Sequence, residues 1–256
     1  MNRDSIGGTF TVAALLCVVC SVLVSGAAVG LRPFQDANKK LFQKKNILLA
    51  AGISDPEKTI DELFENIETK LVDLATGEYY EGDDVDIESY DQKSAARDPD
   101  LSLEIDPDAD IAGIKRREKY SRIYLVKNGS TVEKIILPVY GKGLWSTLYG
   151  FLALEGDLNT VAGLTFYEHK ETPGLGGEVD NPNWKAIWPG KKIYDDKGDI
   201  RLEVVKGQVN PNSEIVNHQI DGLTGATITS RGVSNLIRYW LSDDGFGPFL
   251  DRLSNK

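Results

Sequence analysis

Residues 120–140 read YSRIYLVKNGSTVEKIILPVY, and the fold is decided there. Two runs rich in β-branched and aromatic residues, 120–126 and 132–140, flank Lys127-Asn128-Gly129-Ser130. Asn-Gly between such runs predicts a tight hairpin, because both residues tolerate the positive φ that its turn demands. The pattern repeats downstream. Residues 148–154 and 160–167 flank Glu155-Gly156-Asp157, a second hairpin. A further strand is expected over 200–205, and a short helix over 181–188 stopped by Pro189-Gly190. Strands joined by hairpins, with helices outside the run, predict an α+β fold with an antiparallel sheet and flanking helices.

The 256 residues suffice for one sizeable domain plus an anchor. With 29 Lys and Arg against 39 Asp and Glu, the net charge is -10, which excludes the basic face that nucleic acid requires. The two cysteines, Cys17 and Cys20, both lie in the apolar N-terminal run. A thiolate-held iron–sulfur cluster takes about four, so the downstream chain holds none. No histidine pair sits at metal-ligand spacing, and no metal site is expected. GxGxxG and Walker patterns are absent.

Residues 5–31 carry no charge, bracketed by Asp4 and Arg32. A spanning helix needs about 20 apolar residues, and the core of a cleaved signal is shorter, so a retained single-pass anchor is expected. Arg32, Lys39, Lys40, Lys44 and Lys45 follow the span, against Arg3 and the terminal amine before it. Taken alone, that count places the large domain in the cytoplasm, although long domains translocate regardless of flanking charge.

Pro33 marks a break after the span. A helix is expected over 36–51. A second opens on the Ser54-Asp55-Pro56-Glu57 capping box, with Ile60, Leu63, Phe64, Ile67, Leu71 and Leu74 as its apolar face and Gly77 as its stop. Residues 81–110 hold 12 acids and 2 bases and predict a solvated loop with little core. EF-hand spacing is missing there.

Asp221-Gly222-Leu223-Thr224-Gly225-Ala226-Thr227-Ile228-Thr229-Ser230 precedes an amphipathic pattern, with Val233, Leu236, Ile237 and Trp240 on one helical face. Hydroxyls and small residues at a helix start leave backbone N–H groups open to an anion, or else serve as an ordinary cap. Glu168-His169-Lys170-Glu171-Thr172-Pro173-Gly174-Leu175-Gly176-Gly177 follows the second hairpin. Its glycines allow close approach to a flat ligand, and Leu175 could cover one ring face. Glu171 and Thr172 could bond the polar edge of a ring, and His169 is expected to stabilise the loop. Trp145, in Gly141-Lys142-Gly143-Leu144-Trp145-Ser146-Thr147-Leu148, is either a ring contact or core. Lys206, before Gly207, is either a counter-charge to a bound anion or an exposed strand end.

The run from Asp221 to Thr227 resembles the flavinylation motif of the NqrC family, which belongs to the Na+-translocating NADH:quinone oxidoreductases. The related RnfG family of the Rnf-type electron-transport complexes shares that motif. The segments around Glu171 and Trp145 are also similar to the first family's. The resemblance implies FMN attached through its phosphate to Thr227. It implies a flavin site completed by Asp221, Thr224, Gly225, Ala226, Thr229, Glu171, Thr172, Gly174, Leu175, Trp145 and Lys206, with no catalytic nucleophile.

It further implies a component of a bacterial inner-membrane complex, with its soluble domain on the periplasmic side. Attachment would be made by a separate flavin transferase, and the other partners would be the remaining subunits of the complex. The expected role is electron relay within a complex that oxidises NADH, reduces quinone and pumps Na+, with no activity of the isolated chain. The expected domains are 1–32, a cytoplasmic tip and transmembrane helix, and 33–256, a covalent-FMN domain. The latter comprises a helical lead at 33–77, the acidic region at 81–110, and the sheet core and flavin site at 120–256. The Rnf-type relative, a stand-alone flavin reductase and a non-redox anchored scaffold remain alternatives.

Overall fold

The computed structural model describes residues 6–82, 85–87 and 89–254. The expected tip at residues 1–5 and the acids Asp83, Asp84 and Glu88 lie outside the described residues. Two compact units are present, Met1–Gln43 and Lys44–Lys256.

Helix α1 covers Ile6–Ala50 and runs through Pro33, so the expected break there does not form. An internal proline removes one ladder bond, and long helices absorb such a loss without ending. An 18-residue window of α1 has mean hydropathy 2.6 and no buried residue, so this helix is long and apolar enough to cross a membrane. Its last turn differs: Ile47, Leu48 and Ala50 are buried.

The second expected helix is corrected. Only α2, Ile60–Phe64, is helical, and the capping box that starts it is Thr59 with Glu62. The Thr59 amide donates to Glu62 Oε2 at 2.6 Å. Ser54 to Glu57 form a turn instead, held by the Glu57 amide on Asp55 Oδ1 at 3.0 Å. Ile67–Asp73 is strand β1. Ile67, Thr69 and Val72 are β-branched and favour a strand, whereas residues 67 and 71 share a face in either conformation.

The acidic region is also corrected, since it carries helix α3 (Gln92–Ala95) and strand β2 (Ser102–Glu104), which pairs with β3 (Arg116–Glu118). It is fastened to the sheet by Tyr90, whose hydroxyl donates to the Tyr120 carbonyl at 2.6 Å, and by Arg122, which donates to the Ile87 carbonyl at 2.6 Å.

Strands β4 (Tyr120–Asn128) and β5 (Thr131–Lys142) form the expected hairpin, with Gly129 at φ +61° in its turn. Strands β6 (Thr147–Glu155) and β7 (Val161–Glu168) form the second. The sheet is five-stranded and antiparallel, in the order β1-β4-β5-β6-β7. Helix α4 (Pro182–Lys185) is capped by the Asn181 side chain. The strand expected over 200–205 shrinks to β8 (Glu203–Val204), paired in parallel with β9 (Gln219–Ile220).

Helix α5 (Thr227–Leu241) buries its periodic face completely: Val233, Leu236, Ile237 and Trp240 are each 0% exposed. Helix α6 (Gly247–Ser254) follows, where only a terminating turn was expected.

The sheet buries both faces. One carries Ile135, Leu137, Val139 and Leu152 against α5. The other carries Tyr124, Ile136, Phe151 and Ala153 against the end of α1. Alternation along β5 sends neighbouring residues to opposite cores. Close approach on the α1 side needs Gly163, where an added Cβ meets the Ala50 backbone. Gly163→Ala is expected to cost about 1–3 kcal/mol by overpacking, read as a lowered urea midpoint with an unchanged m-value. An unaltered midpoint would show that this contact is slack.

Candidate functional site

Three segments meet at one end of the sheet: the β5–β6 turn at 143–146, the loop at 171–177, and the start of α5. Glu171 joins them. Its side chain is 5% exposed. Oε1 accepts from the amides of Trp145 at 2.9 Å and Ser146 at 3.2 Å. Oε2 accepts from the Leu144 amide at 3.1 Å and from the Thr229 hydroxyl at 2.7 Å. A carboxylate offers about four acceptor positions, and all are in use. Glu171 therefore fastens the site together.

Burial raises the Glu171 pKa, but the Thr229 hydroxyl and the three amides outweigh it and leave the carboxyl below its usual value. A depressed carboxyl stabilises the fold above its unfolded pKa, and that contribution is lost as pH falls through the lower folded value. Amide-exchange protection at Leu144, Trp145 and Ser146 is thus expected to hold at neutral pH and to fall below about pH 4. Protection that persists undiminished in stronger acid would contradict this.

Glycines permit the close packing. A Cβ at Gly143 would lie 2.7 Å from Glu171 Oε1, and one at Gly176 would lie 2.6 Å from Thr229 Oγ1. Gly225 has φ +73°, and a Cβ there would stand 3.0 Å from Leu175 Cδ2, so Leu175 lies against the Thr-Gly-Ala turn. Gly174, at φ +75°, turns the 171–177 loop, and the exposed Thr172 holds it by accepting from the Leu175 and Gly177 amides through its carbonyl.

Thr227 is the first residue of α5 and is exposed. The helix has no side-chain cap: Ala226 precedes it at φ -125°, ψ 50°, with its methyl buried. The ordinary-cap reading is thereby removed. Of the nearby hydroxyls, Ser230 accepts from the Leu223 amide at 3.0 Å and Thr229 serves Glu171. Among the described residues neither Thr224 nor Thr227 has a side-chain hydrogen bond. First-turn amides and an unengaged hydroxyl thus share one exposed point, which suits a phosphoester.

Beside it stand four exposed apolar side chains, Leu144 (42%), Trp145 (66%), Leu175 (44%) and Ile228 (56%). Trp145 is therefore a surface ring and no part of the core. Leu144 and Ile228 escape a reading of the sequence, since nothing in a linear pattern marks an apolar residue as exposed.

Asp221 serves the framework. Its Oδ1 accepts from the Val209 amide at 2.7 Å, and its carbonyl accepts from Trp184 Nε1 at 2.8 Å. Lys206 is exposed, in the turn whose Gly207 carbonyl accepts from the Gly222 amide at 2.7 Å. The backbone thus brings Lys206 next to the motif, with no ion pair to an acid among the described residues. His169 stabilises its loop: Nε2 meets Asp180 Oδ2 at 2.7 Å, and Nδ1 accepts from the Glu171 amide at 3.2 Å. The Asp180 hydrogen bond raises the His169 pKa, against an opposing effect of burial.

An exposed helix start with a free hydroxyl, walled by glycine loops and an apolar surface, has the form of a flavin site. Residues 143–242 match the FMN-binding domain family. Over 98% of its length the chain is 52% identical to the Na(+)-translocating NADH-quinone reductase C-type subunit of Pseudomonas aeruginosa, of which 97% is covered. Its counterpart in Vibrio vulnificus is 49% identical, with 98% and 97% covered. The crystal structure of Shewanella oneidensis NqrC superposes with a TM-score of 0.77 at 33% identity, covering 85% of this chain and all of that one. The chain therefore belongs to the NqrC family of the Na+-translocating NADH-quinone reductases, which decides between the two related families in favour of the first.

Proposed function

We propose that Thr227 carries FMN through a phosphoester and that the chain relays electrons inside a Na+-translocating NADH-quinone reductase. The observation behind this reading is the uncapped, exposed start of α5 with the Thr227 hydroxyl at its first position. A phosphodiester there keeps about one negative charge, and a helix N-terminus, near +0.5, favours it. Gly225 and Ala226 keep bulk away from the ester. Leu175, packed on Gly225, and Trp145 present apolar surface for a flat ring, with Leu144 and Ile228 beside them. Glu171 and Thr229 hold the Trp145 loop against α5. Thr172, Gly174 and Thr224 line the same surface, and Lys206 supplies positive charge at its edge. Bound FMN would supply reversible electron transfer; the chain's own residues retain it, orient it and shield one part from water.

Helix α1 is the membrane anchor in this reading, and the soluble domain lies on the periplasmic side. A covalent tether suits that compartment, where a dissociated cofactor would be lost. Attachment is the work of a separate flavin transferase, and the remaining subunits supply and accept the electrons. In the purified, flavin-loaded chain, NADH alone is expected to leave the flavin oxidised, and addition of the remaining complex is expected to reduce it within a turnover. Rapid NADH oxidation by the isolated chain would favour a stand-alone reductase. A flavin that the complex never reduces would remove the relay.

A further inference from the structure

The acid-rich segment, once folded, presents a basic cleft. A hollow of about 190 Å3 lies between α3, the turn before β3 and the open end of the β5–β6 hairpin, and four of its lining side chains are cations: Lys93, Arg97, Arg116 and Lys142. Among the described residues that line it none is acidic, in a chain whose net charge is -10. Lys93 lies 3.7 Å from the centre of the Tyr149 ring and pairs with Glu168 at 2.5 Å. The Arg97 charge lies close enough to Tyr149 to offset part of the rise that burial causes in the Tyr149 pKa. Arg116 donates from Nε to Ser102 Oγ at 2.9 Å, and its Nη1 stays 3.9 Å from the exposed Glu104. Among the described residues Arg97 and Lys142 have no acidic partner. Glu168 and Glu104 stand at the edge, and behind the wall Glu118 accepts from Tyr140 and Asp110 from the Ile114 amide, while the four cations line the hollow itself.

The geometry points to a binding site for a small multivalent oxyanion of the phosphate class. A cleft lined by one sign of charge raises the local concentration of its counter-ion. Two guanidinium forks match phosphate oxygens in pairs, and lysines add point charges. A hollow of about 190 Å3 has room for a phosphate or pyrophosphate. Lys142 and Thr147, both in its wall, are the residues that bracket the 143–146 turn fastened by Glu171. An anion seated there links α3 to the base of the loop that carries Trp145. The site uses no atom of Thr227 and stands whether or not that residue is esterified.

Calorimetric titration of the full chain in neutral detergent with pyrophosphate, at constant ionic strength, tests it. Saturable binding at one site is expected. Arg97→Gln with Arg116→Gln should weaken it at least tenfold, and Lys142→Gln alone at least threefold. Lys39→Gln with Lys40→Gln should leave it unchanged. Should the double arginine variant lose its near-ultraviolet circular dichroism, the exposed Lys142 variant carries the decision. Dioctanoyl phosphatidic acid, with the matching phosphatidylcholine as control, separates the two sources of phosphate. Competition by the first alone identifies a lipid headgroup, and competition by neither identifies a free oxyanion. Absence of saturable heat, or equal affinity in wild type and both cleft variants, would overturn the site.

Discussion

Thr227→Ala, produced alongside the flavin transferase, is expected to run on a denaturing gel with no yellow fluorescence, while the wild-type band fluoresces. The loss should be complete, because an ester needs the one hydroxyl that stands at the first position of α5. The fold should survive. Thr227 is exposed, and its side chain makes no hydrogen bond among the described residues, so truncation removes neither packing nor a cap. Surface changes of this kind lie within about 0.5 kcal/mol. A folded variant that keeps its fluorescence would move the attachment elsewhere, with Thr224, the other exposed hydroxyl of the motif, first in line. A wild-type band that never fluoresces would remove the covalent attachment.

Glu171→Ala should do the opposite, leaving the attachment hydroxyl in place and loosening what surrounds it. Three backbone amides and the Thr229 hydroxyl lose their acceptor together. Each unsatisfied buried donor costs about 1–3 kcal/mol, and water reaching the exposed Leu144 and Trp145 recovers part of this. A net loss of about 3 kcal/mol, or roughly 6–12 °C in Tm, is expected. Glu171→Gln keeps one acceptor oxygen and turns an amino group toward the other donors, so its Tm should fall in between. In both variants the flavin should remain attached with altered absorption, because the Trp145 loop no longer holds its place. Calorimetric scans and visible spectra check this, and a Tm within about 1 °C of wild type would show that the four bonds contribute nothing net.

The parts of this molecule that the linear sequence reveals are those whose signal is local. Asn128-Gly129 between apolar runs dictates a hairpin, and the two strands can pair only in antiparallel fashion. The spacing of Val233, Leu236, Ile237 and Trp240 dictates one buried face of α5. The 60–74 stretch misleads for a physical reason. Ile67 and Leu71 are four apart, and an interval of four keeps a face in a helix and in a strand alike. Ile67, Thr69 and Val72 held the deciding information, as did the Thr59–Glu62 capping box that ends its influence after one turn.

At the site, the motif residues were legible and their division of labour was not. Glu171 reads as a ligand contact because it sits in a glycine loop. Its four donors arrive from residues 144–146 and 229, brought to it only by the sheet and α5. Asp221 likewise reads as a cofactor contact and folds as a support for the turn at Val209. The acidic composition of 81–110 concealed a basic cleft, since Lys93 and Arg97 are the only bases in that stretch and both line it.

The proposed electron relay depends on the Thr227 hydroxyl oxygen being esterified. Peptide mass mapping of the native protein, taken from cells that also make its flavin transferase, tests that most directly. The peptide containing Thr227 is predicted to be heavier by one FMN less one water, with fragment ions placing the added mass on that residue. The same peptide recovered at its unmodified mass would contradict the account.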